Sequence, residues 1–161
     1  MEYLRKTCSW HISFNSLKKK DYKPSCLKMT LNSVLHLQKN KIQSLPSELG
    51  CLRLLELLML SENSLLSLPA SLANLQRLKR LDLRHNKIEG SLPCVIYQLH
   101  SIVQLFLNYN KINQLQPGIA NLRHLSNLDL RFVFILCFST VNMPIKGLFV
   151  FLTKRFLITV I

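Results

Sequence analysis

Residues 81–88 read Leu-Asp-Leu-Arg-His-Asn-Lys-Ile and residues 58–65 read Leu-Met-Leu-Ser-Glu-Asn-Ser-Leu, and this shared pattern decides the fold. In each stretch two leucines alternate with other residues, which favours a short strand with both leucines on one face. An asparagine stands three positions after the second leucine, where its amide is able to hydrogen-bond the backbone of neighbouring turns. This asparagine recurs at separations of 23, 23 and 24 residues, at Asn40, Asn63, Asn86 and Asn110.

The segments between the strands repeat as regularly as the strands themselves. A Leu-Pro pair follows each of the first three asparagines, and the fixed proline angle predicts a short helical or 3-10 segment there. Aliphatic residues four and seven positions after the leucine of the pair are expected to point inward. The pattern is typical of a leucine-rich repeat array, an α/β solenoid of about 4–5 repeats. It predicts a short curved parallel sheet with a helical or 3-10 convex side.

Three parts of the chain follow from where the repeats begin and end. Residues 1–30 form a basic leader that we expect to be flexible, residues 31–131 form the array, and residues 132–161 form an apolar, non-repeat tail. Val133 stands where the next asparagine is due. The tail has three open explanations: a membrane anchor, an apolar strand or helix that covers the last repeat, or the end of a truncated or alternative product. One extra residue near Gly90 is expected to lie in a loop.

The net charge of +13 is distributed as +5 in the leader, +5 in the array and +3 in the tail. Three consecutive lysines at residues 18–20 raise the possibility of nucleic-acid or anionic-lipid binding. No aromatic interleaving or recognised motif accompanies them, so a solvated leader is the simpler interpretation and nucleic acid is not an expected partner.

The number and spacing of the cysteines indicate the cellular compartment of the protein. Five cysteines are an odd number, and their spacing matches neither a zinc pattern nor a paired disulfide cap. The first residues lack the unbroken apolar run of a secretory signal, so we expect a cytoplasmic protein. Cys51 and Cys94 are expected to be small core residues.

Residues that could carry chemistry are few. Asp82, His85 and Ser61 or Ser91 lack a nucleophile elbow, a Gly-rich phosphate loop or a paired catalytic carboxylate. The histidines show no metal-ligand spacing. We therefore expect no enzyme activity, no metal and no cofactor.

The array does offer a surface for partners. Residues that alternate with the buried leucines are expected to point outward from the concave side of the sheet. They mix aromatic residues, arginines and carboxylates, a composition suited to docking a protein. Besides His36, Gln38 and Lys39 of the first unit, the predicted partner-binding residues are Met59, Ser61, Glu62, Asp82, Arg84, His85, Phe106, Asn108, Tyr109, Asp129 and Arg131. Within this set, Arg84 is expected to pair with a partner carboxylate, and Asp82 with a partner Lys or Arg.

The 23-residue units with their Leu-Pro pairs resemble those of the intracellular Ras-group leucine-rich repeat proteins. Residues 60–65 and 81–87 are similar in particular to the Shoc (suppressor-of-clear) scaffolds of the Ras–Raf pathway, of which this chain looks like a short or truncated relative. The resemblance implies a non-catalytic scaffold that brings a Ras-type GTPase and the catalytic subunit of protein phosphatase 1 together, with Raf kinase as the target. By the same resemblance Asp82, Arg84 and His85 fall on the partner-binding face. The alternative is a generic cytosolic repeat adaptor or phosphatase regulator with an unrelated partner, or a membrane-tethered fragment.

A short stretch of the leader adds a second candidate site. The scaffolds that this chain resembles carry a phosphatase-docking sequence of the basic-apolar-x-aromatic kind in their leader. His11, Ile12 and Phe14 form a relaxed version of it. Such a segment docks by adding an extended strand to a sheet edge and inserting its apolar side chains into pockets.

Overall fold

The computed structural model describes residues 33–130, together with strand residues at 10–11, 137–138 and 157–159. The strands form two parallel sheets, one along each side of a stack of rungs. The larger sheet has seven strands in the order β1-β2-β3-β4-β6-β8-β10, and the smaller has the order β5-β7-β9. Their bounds are Trp10–His11 (β1), Val34–His36 (β2), Leu57–Met59 (β3), Arg80–Asp82 (β4), Glu89–Ser91 (β5), Gln104–Phe106 (β6), Lys111–Leu115 (β7), Asn127–Asp129 (β8), Cys137–Phe138 (β9) and Leu157–Thr159 (β10).

Short 3-10 segments return the chain from one strand to the next. In the first three units the segment begins directly after a proline that caps it in extended or near-extended geometry, and in the fourth a proline is its first residue. This confirms the expectation from the fixed proline angle. The four segments are Ser47–Cys51, Ala70–Asn74, Cys94–Gln98 and Pro117–Asn121.

The core is a column of aliphatic side chains between the large sheet and the 3-10 segments. Register places equivalent leucines side by side, so Leu58 lies next to Leu35 and Leu81 on the adjacent strands. Leu58, Leu81 and Leu105 are completely buried. At about 25 cal/mol per Å² of apolar area, this column supplies the main stabilisation of the stack, because no single unit is able to bury its own leucines.

A spine of asparagine side chains links the rungs. The Asn86 amide donates to the Leu60 and Leu83 carbonyls at 3.0 Å, and its carbonyl accepts from the Leu65 N–H at 3.0 Å. Asn63 and Asn110 make the same set of bonds, each reaching the preceding rung. The predicted backbone role of the asparagines is therefore confirmed, and the buried polar groups of the turns are satisfied by it.

Two glycines allow the 3-10 segments to pack closely. A Cβ on Gly50 would stand 2.3 Å from the Ser71 carbonyl oxygen, and one on Gly118 would stand 2.9 Å from the Tyr97 ring. Larger residues at either position would force adjacent rungs apart.

Two expectations about individual residues are wrong. Gly90 does not lie in a loop but in β5, with a φ of 73°, where the register against β7 shifts by one residue. The pairing skips Asn113 of β7 between Gly90 and Ser91, and a glycine adopts the positive φ next to this irregularity without strain. Cys51 and Cys94 are exposed and not in the core, because both lie at the outward positions of their 3-10 turns.

Strands from the leader and the tail extend the sheets at both ends. Trp10–His11 pairs in parallel with β2, and Leu157–Thr159 pairs in parallel with β8. Cys137–Phe138 continues the small sheet beside β7. These pairings favour the explanation in which the tail covers the last repeat. Within the described residues, no helix has the length and apolar character needed to cross a membrane.

Candidate functional site

The concave face is made by strand residues that alternate with the buried leucines. Hydrogen bonds between rungs hold their backbones in line, as when the Leu83 N–H donates to the Phe106 carbonyl at 2.9 Å and the Leu60 N–H donates to the Asp82 carbonyl at 2.8 Å. Equivalent positions of β3, β4, β6 and β8 therefore stand in rows across the face, with Met59, Asp82, Phe106 and Asp129 in one row.

The predicted face residues differ widely in accessibility. Glu62, His85 and Tyr109 are exposed, and Met59, Arg84 and Phe106 are half-buried. Ser61, Asp82, Asn108 and Asp129 are buried. These four positions alternate with the buried leucines as expected, but their side chains are not accessible on the surface.

Asp82 and Arg84 form one unit. The Arg84 guanidinium donates from Nε to Asp82 Oδ1 at 2.9 Å and from a terminal nitrogen to Oδ2 at 2.6 Å, and the Arg84 N–H donates to Oδ1 at 3.2 Å. The Asp82 side chain is fully buried, whereas the Arg84 side chain is 36% exposed. Bidentate pairs of this kind fix the guanidinium plane. Asp82 is thus committed to Arg84, and its expected role as acceptor for a partner cation does not hold.

Phe106 lies between two arginines of the neighbouring strand. The Arg80 guanidinium carbon is 4.8 Å from the ring centroid, and that of Arg84 is 5.4 Å from it. Both distances are within the range of cation–π attraction. We call the set Arg80, Asp82, Arg84 and Phe106 the Phe106 patch.

Sequence reasoning missed Arg80, although the signal was present. Alternation along β4 and the residues after it places residues 80, 82 and 84 on one face. The expected set on this rung began at residue 82 and left residue 80 out. Within the described residues Arg80 has no carboxylate partner, and its Nε has no hydrogen-bond acceptor. The Arg80 guanidinium instead lies over the Phe106 ring.

A second feature runs along the edge where the strands end. Lys39, Glu62, His85 and Tyr109 each precede a spine position and each has a φ between 53° and 58°. We call these four residues the rim row. The His85 and Tyr109 rings stack with centroids 4.1 Å apart and planes 12° apart, and Lys39 approaches Glu62 at 4.0 Å. The four residues share the left-handed backbone conformation, and these contacts join them in two pairs, Lys39 with Glu62 and His85 with Tyr109.

Other predicted residues lie outside the described part of the chain or are buried in it. Arg131, Ile12 and Phe14 lie outside the described residues, and of His11 only the backbone, in β1, is described. Asn108 is 3% exposed, and its side-chain oxygen has no hydrogen-bond partner in the described part of the chain.

Tyr97 is a buried ionisable group on the convex side. Burial raises the pKa of Tyr97, although the Gln116 N–H, which donates to its phenol oxygen at 3.0 Å, acts in the opposite direction. Among residues 33–130, no group of three or more His, Cys, Asp or Glu side chains is arranged to hold a metal ion.

Comparison with known proteins places this geometry in context. The leucine-rich repeat family model matches residues 33–88. No curated protein matches the sequence.

Solved structures match over longer stretches. The leucine-rich repeat ectodomain of the receptor kinase SOBIR1 from Arabidopsis thaliana is 25% identical with a TM-score of 0.60, and the match covers 78% of this chain and 67% of that one. The plant peptide hormone receptor RGFR1, in complex with RGF2, is 32% identical with a TM-score of 0.56, covering 62% of this chain and 16% of the receptor. An internalin from Listeria monocytogenes is 26% identical with a TM-score of 0.54, covering 72% and 36%.

These similarities extend to the repeat and its fold, and none is specific to the Shoc scaffolds. Folds of this kind typically serve as non-catalytic surfaces for protein interaction. The chain spans about a third or less of the length of several proteins that it matches. The parallel strands, the proline-led 3-10 segments and the asparagine spine together show that residues 33–130 form a leucine-rich repeat domain.

Proposed function

We propose that this protein is a non-catalytic binding module that docks a protein partner on its concave face through the Phe106 patch. The single observation that carries the proposal is the arrangement of Phe106 between Arg80 and Arg84. Interface hot spots are enriched in aromatic and arginine side chains that are surrounded by less important contacts.

The chemistry of the patch indicates the chemistry of the partner. Asp82 neutralises Arg84 and holds it in place, whereas Arg80 retains an uncompensated charge next to an aromatic ring. A partner carboxylate placed over Arg80, with an apolar side chain beside it to cover Phe106, fits both features. Because both arginines are already ordered against the ring, little side-chain entropy is lost on binding.

For the identity of the partner we rely on the resemblance of residues 60–65 and 81–87 to the Shoc scaffolds. On that basis the partners are a Ras-type GTPase in its GTP state and the catalytic subunit of protein phosphatase 1, with Raf kinase as the target of the assembly. Such partners require a cytoplasmic location, which we propose as well. The leader segment around His11 would then dock on the phosphatase by leaving β2 and pairing with a phosphatase strand.

The experiment measures binding of the purified full chain to GTP-loaded Ras-type protein, to the phosphatase subunit, and to both together, by calorimetry. We expect Arg80→Glu and Phe106→Ala each to weaken binding by about tenfold or more, since truncation of a hot spot typically costs at least about 1.4 kcal/mol. Lys111→Glu is the matched control for Arg80→Glu, because it makes the same charge change at an exposed site away from the patch. Absence of binding to either protein would end the Ras–phosphatase proposal.

A second candidate is a leucine-rich repeat adaptor with an unrelated partner. It is favoured by the comparisons, which match the repeat but not the Shoc scaffolds in particular. The two candidates share the Phe106 patch. The second candidate is selected if the wild-type chain recovers a partner that is neither a Ras-type protein nor a phosphatase. The Phe106→Ala variant should then fail to recover that partner.

A further inference from the structure

A polar groove lies away from the concave face, at the edge where the strands begin. It is formed by the loops that connect the 3-10 segments to β4, β6 and β8. Two adjoining clefts, of about 560 and 310 Å³, share His124 as a common wall. We call this feature the amino-edge groove. Its central lining residues are Glu56, Gln76, Arg77, Lys79, Ser101 and His124.

The groove has fixed walls. The Val103 N–H donates to the Lys79 carbonyl at 2.7 Å and the Lys79 N–H donates to the Glu56 carbonyl at 2.8 Å, so the floor continues the ladder between rungs. The Ser101 hydroxyl donates to the Gln76 carbonyl at 2.6 Å. A ligand therefore meets backbone and hydroxyl groups that are already paired, and the long charged side chains are left to recognise it.

The charge of the groove is positive. Arg77, Lys79 and Arg123 line the two clefts, and Glu56 is the one carboxylate among the lining residues. The Lys79 ammonium lies 3.0 Å from the Glu56 carboxylate, which neutralises that carboxylate. Among the described residues Arg77 has no carboxylate partner, and its positive charge favours an anionic ligand.

The shape of the groove favours a peptide. It runs across the rungs of β3, β4, β6 and β8, and because adjacent strands are about 4.8 Å apart it is about 14 Å long, the span of about four extended residues. No Phe, Tyr or Trp is among the residues that line it, so the groove has none of the large aromatic side chains on which nucleic-acid bases stack.

We propose that the amino-edge groove binds an extended acidic peptide segment, with one carboxylate paired to Arg77 and a second sharing Lys79 with Glu56. This site is separate from the Phe106 patch, since Arg77 does not belong to the patch and lies before the start of β4. A partner that is held on the concave face is thus able to place an acidic tail in the groove, and an acidic peptide is able to bind there alone.

The experiment measures binding of a fluorescein-labelled oligo-glutamate peptide to the full chain by fluorescence anisotropy at low salt. We expect saturable binding that weakens as salt is added, since exposed charges are screened. Arg77→Glu is expected to weaken it about tenfold, because the change removes an attraction and adds a repulsion. Glu56→Gln is expected to strengthen binding about twofold to threefold, because Lys79 is released and the one carboxylate of the lining is lost.

Lys87→Glu is the matched control, with the same charge change on an exposed side chain at the opposite edge of the sheet. Equal loss with Arg77→Glu and Lys87→Glu would mean that net charge alone attracts the peptide and would overturn the proposal. Failure of the peptide to bind, or tighter binding of an RNA oligonucleotide of matched charge, would overturn it as well. Arg77→Glu, Glu56→Gln and Lys87→Glu all lie outside the Phe106 patch. Binding of the concave-face partner is therefore measured separately, and its failure is distinguishable from failure of the groove proposal.

Discussion

The asparagine spine and the Phe106 patch share the rungs of β4 and β6 but are built in opposite ways. The spine repeats the same bonds at Asn63, Asn86 and Asn110, all of them to backbone atoms. The Phe106 patch spans the rungs of β4 and β6 and depends on contacts between side chains, in which the Arg80 and Arg84 guanidinium groups lie over the Phe106 ring. Uniform contacts with the backbone stabilise the stack whatever the other residues are, and single departures from the repeat create the surface with a specific chemistry.

Of the substitutions that test this comparison, Asn86→Ala is expected to change the free energy of unfolding most. It removes the acceptor of the Leu65 N–H and the donor to two buried carbonyls. We expect the free energy of unfolding to fall by roughly 2–4 kcal/mol, since buried groups left unpaired cost about 1–3 kcal/mol each and partly relax.

The matched control is Asn40→Ala. The Asn40 amide bonds only to carbonyls of its own turn and is half-buried, so a loss of about 1 kcal/mol or less is expected in urea denaturation. Equal losses at the two positions would show that the bonds between rungs do not stabilise the stack.

The Arg84→Met substitution tests whether the Asp82–Arg84 pair in the Phe106 patch also stabilises the fold. It leaves the Asp82 carboxylate buried with only the Arg84 N–H as a donor. We expect a loss of about 1–3 kcal/mol, below the value for a fully buried pair because Arg84 is itself partly exposed. An Asp82→Asn background should remove most of that loss.

Lys79→Met is the comparison for this variant. Its partner Glu56 remains accessible to water, with 37% of the side chain exposed, so its removal is expected to cost less than about 1 kcal/mol. Similar small losses for both variants would mean that Asp82 finds other donors and that the Phe106 patch is not preorganised.

The Tyr97→Phe substitution addresses the convex side. At neutral pH the Gln116 N–H loses its acceptor, and we expect a loss of about 1 kcal/mol. The pKa of Tyr97 is raised in the folded state, so this contribution is complete below the unfolded pKa of about 10 and declines as pH rises towards the folded value. The free energies of unfolding of wild type and variant should therefore begin to converge as the pH rises above about 10; a constant difference would contradict the assignment.

The Glu62→Asn substitution is expected to have the smallest effect. Glu62 has a φ of 57°, a conformation that asparagine accepts more readily than glutamate. A gain of roughly 0.5 kcal/mol in the free energy of unfolding is expected. The control is Glu89→Asn, at an exposed strand position, which should give no gain. The thermal midpoints of the two variants are compared, and equal midpoints would contradict the prediction.

Much of the fold followed from residue types and spacing. Alternating leucines predicted the strands, the prolines predicted the 3-10 segments, and the asparagines predicted bonds to the backbone of neighbouring turns. Each of these is a local preference that is repeated, so neighbouring units reinforce it. The bulge at Gly90 was not foreseen, because a glycine in a longer unit is equally compatible with a loop.

The candidate site followed only in part. Strand alternation identified which face carries Asp82, Arg84 and Phe106, since that depends on spacing along a single strand. The position of Arg80 over Phe106 and the groove around Arg77 depend on side chains that meet across different rungs. The pairing of Asp82 with Arg84 lies within one rung and depends on the rotamer of Arg84. The sequence by itself determined the stack of rungs, and only the tertiary structure decided which side chains touch, because those contacts depend on rotamers and burial and not on periodicity.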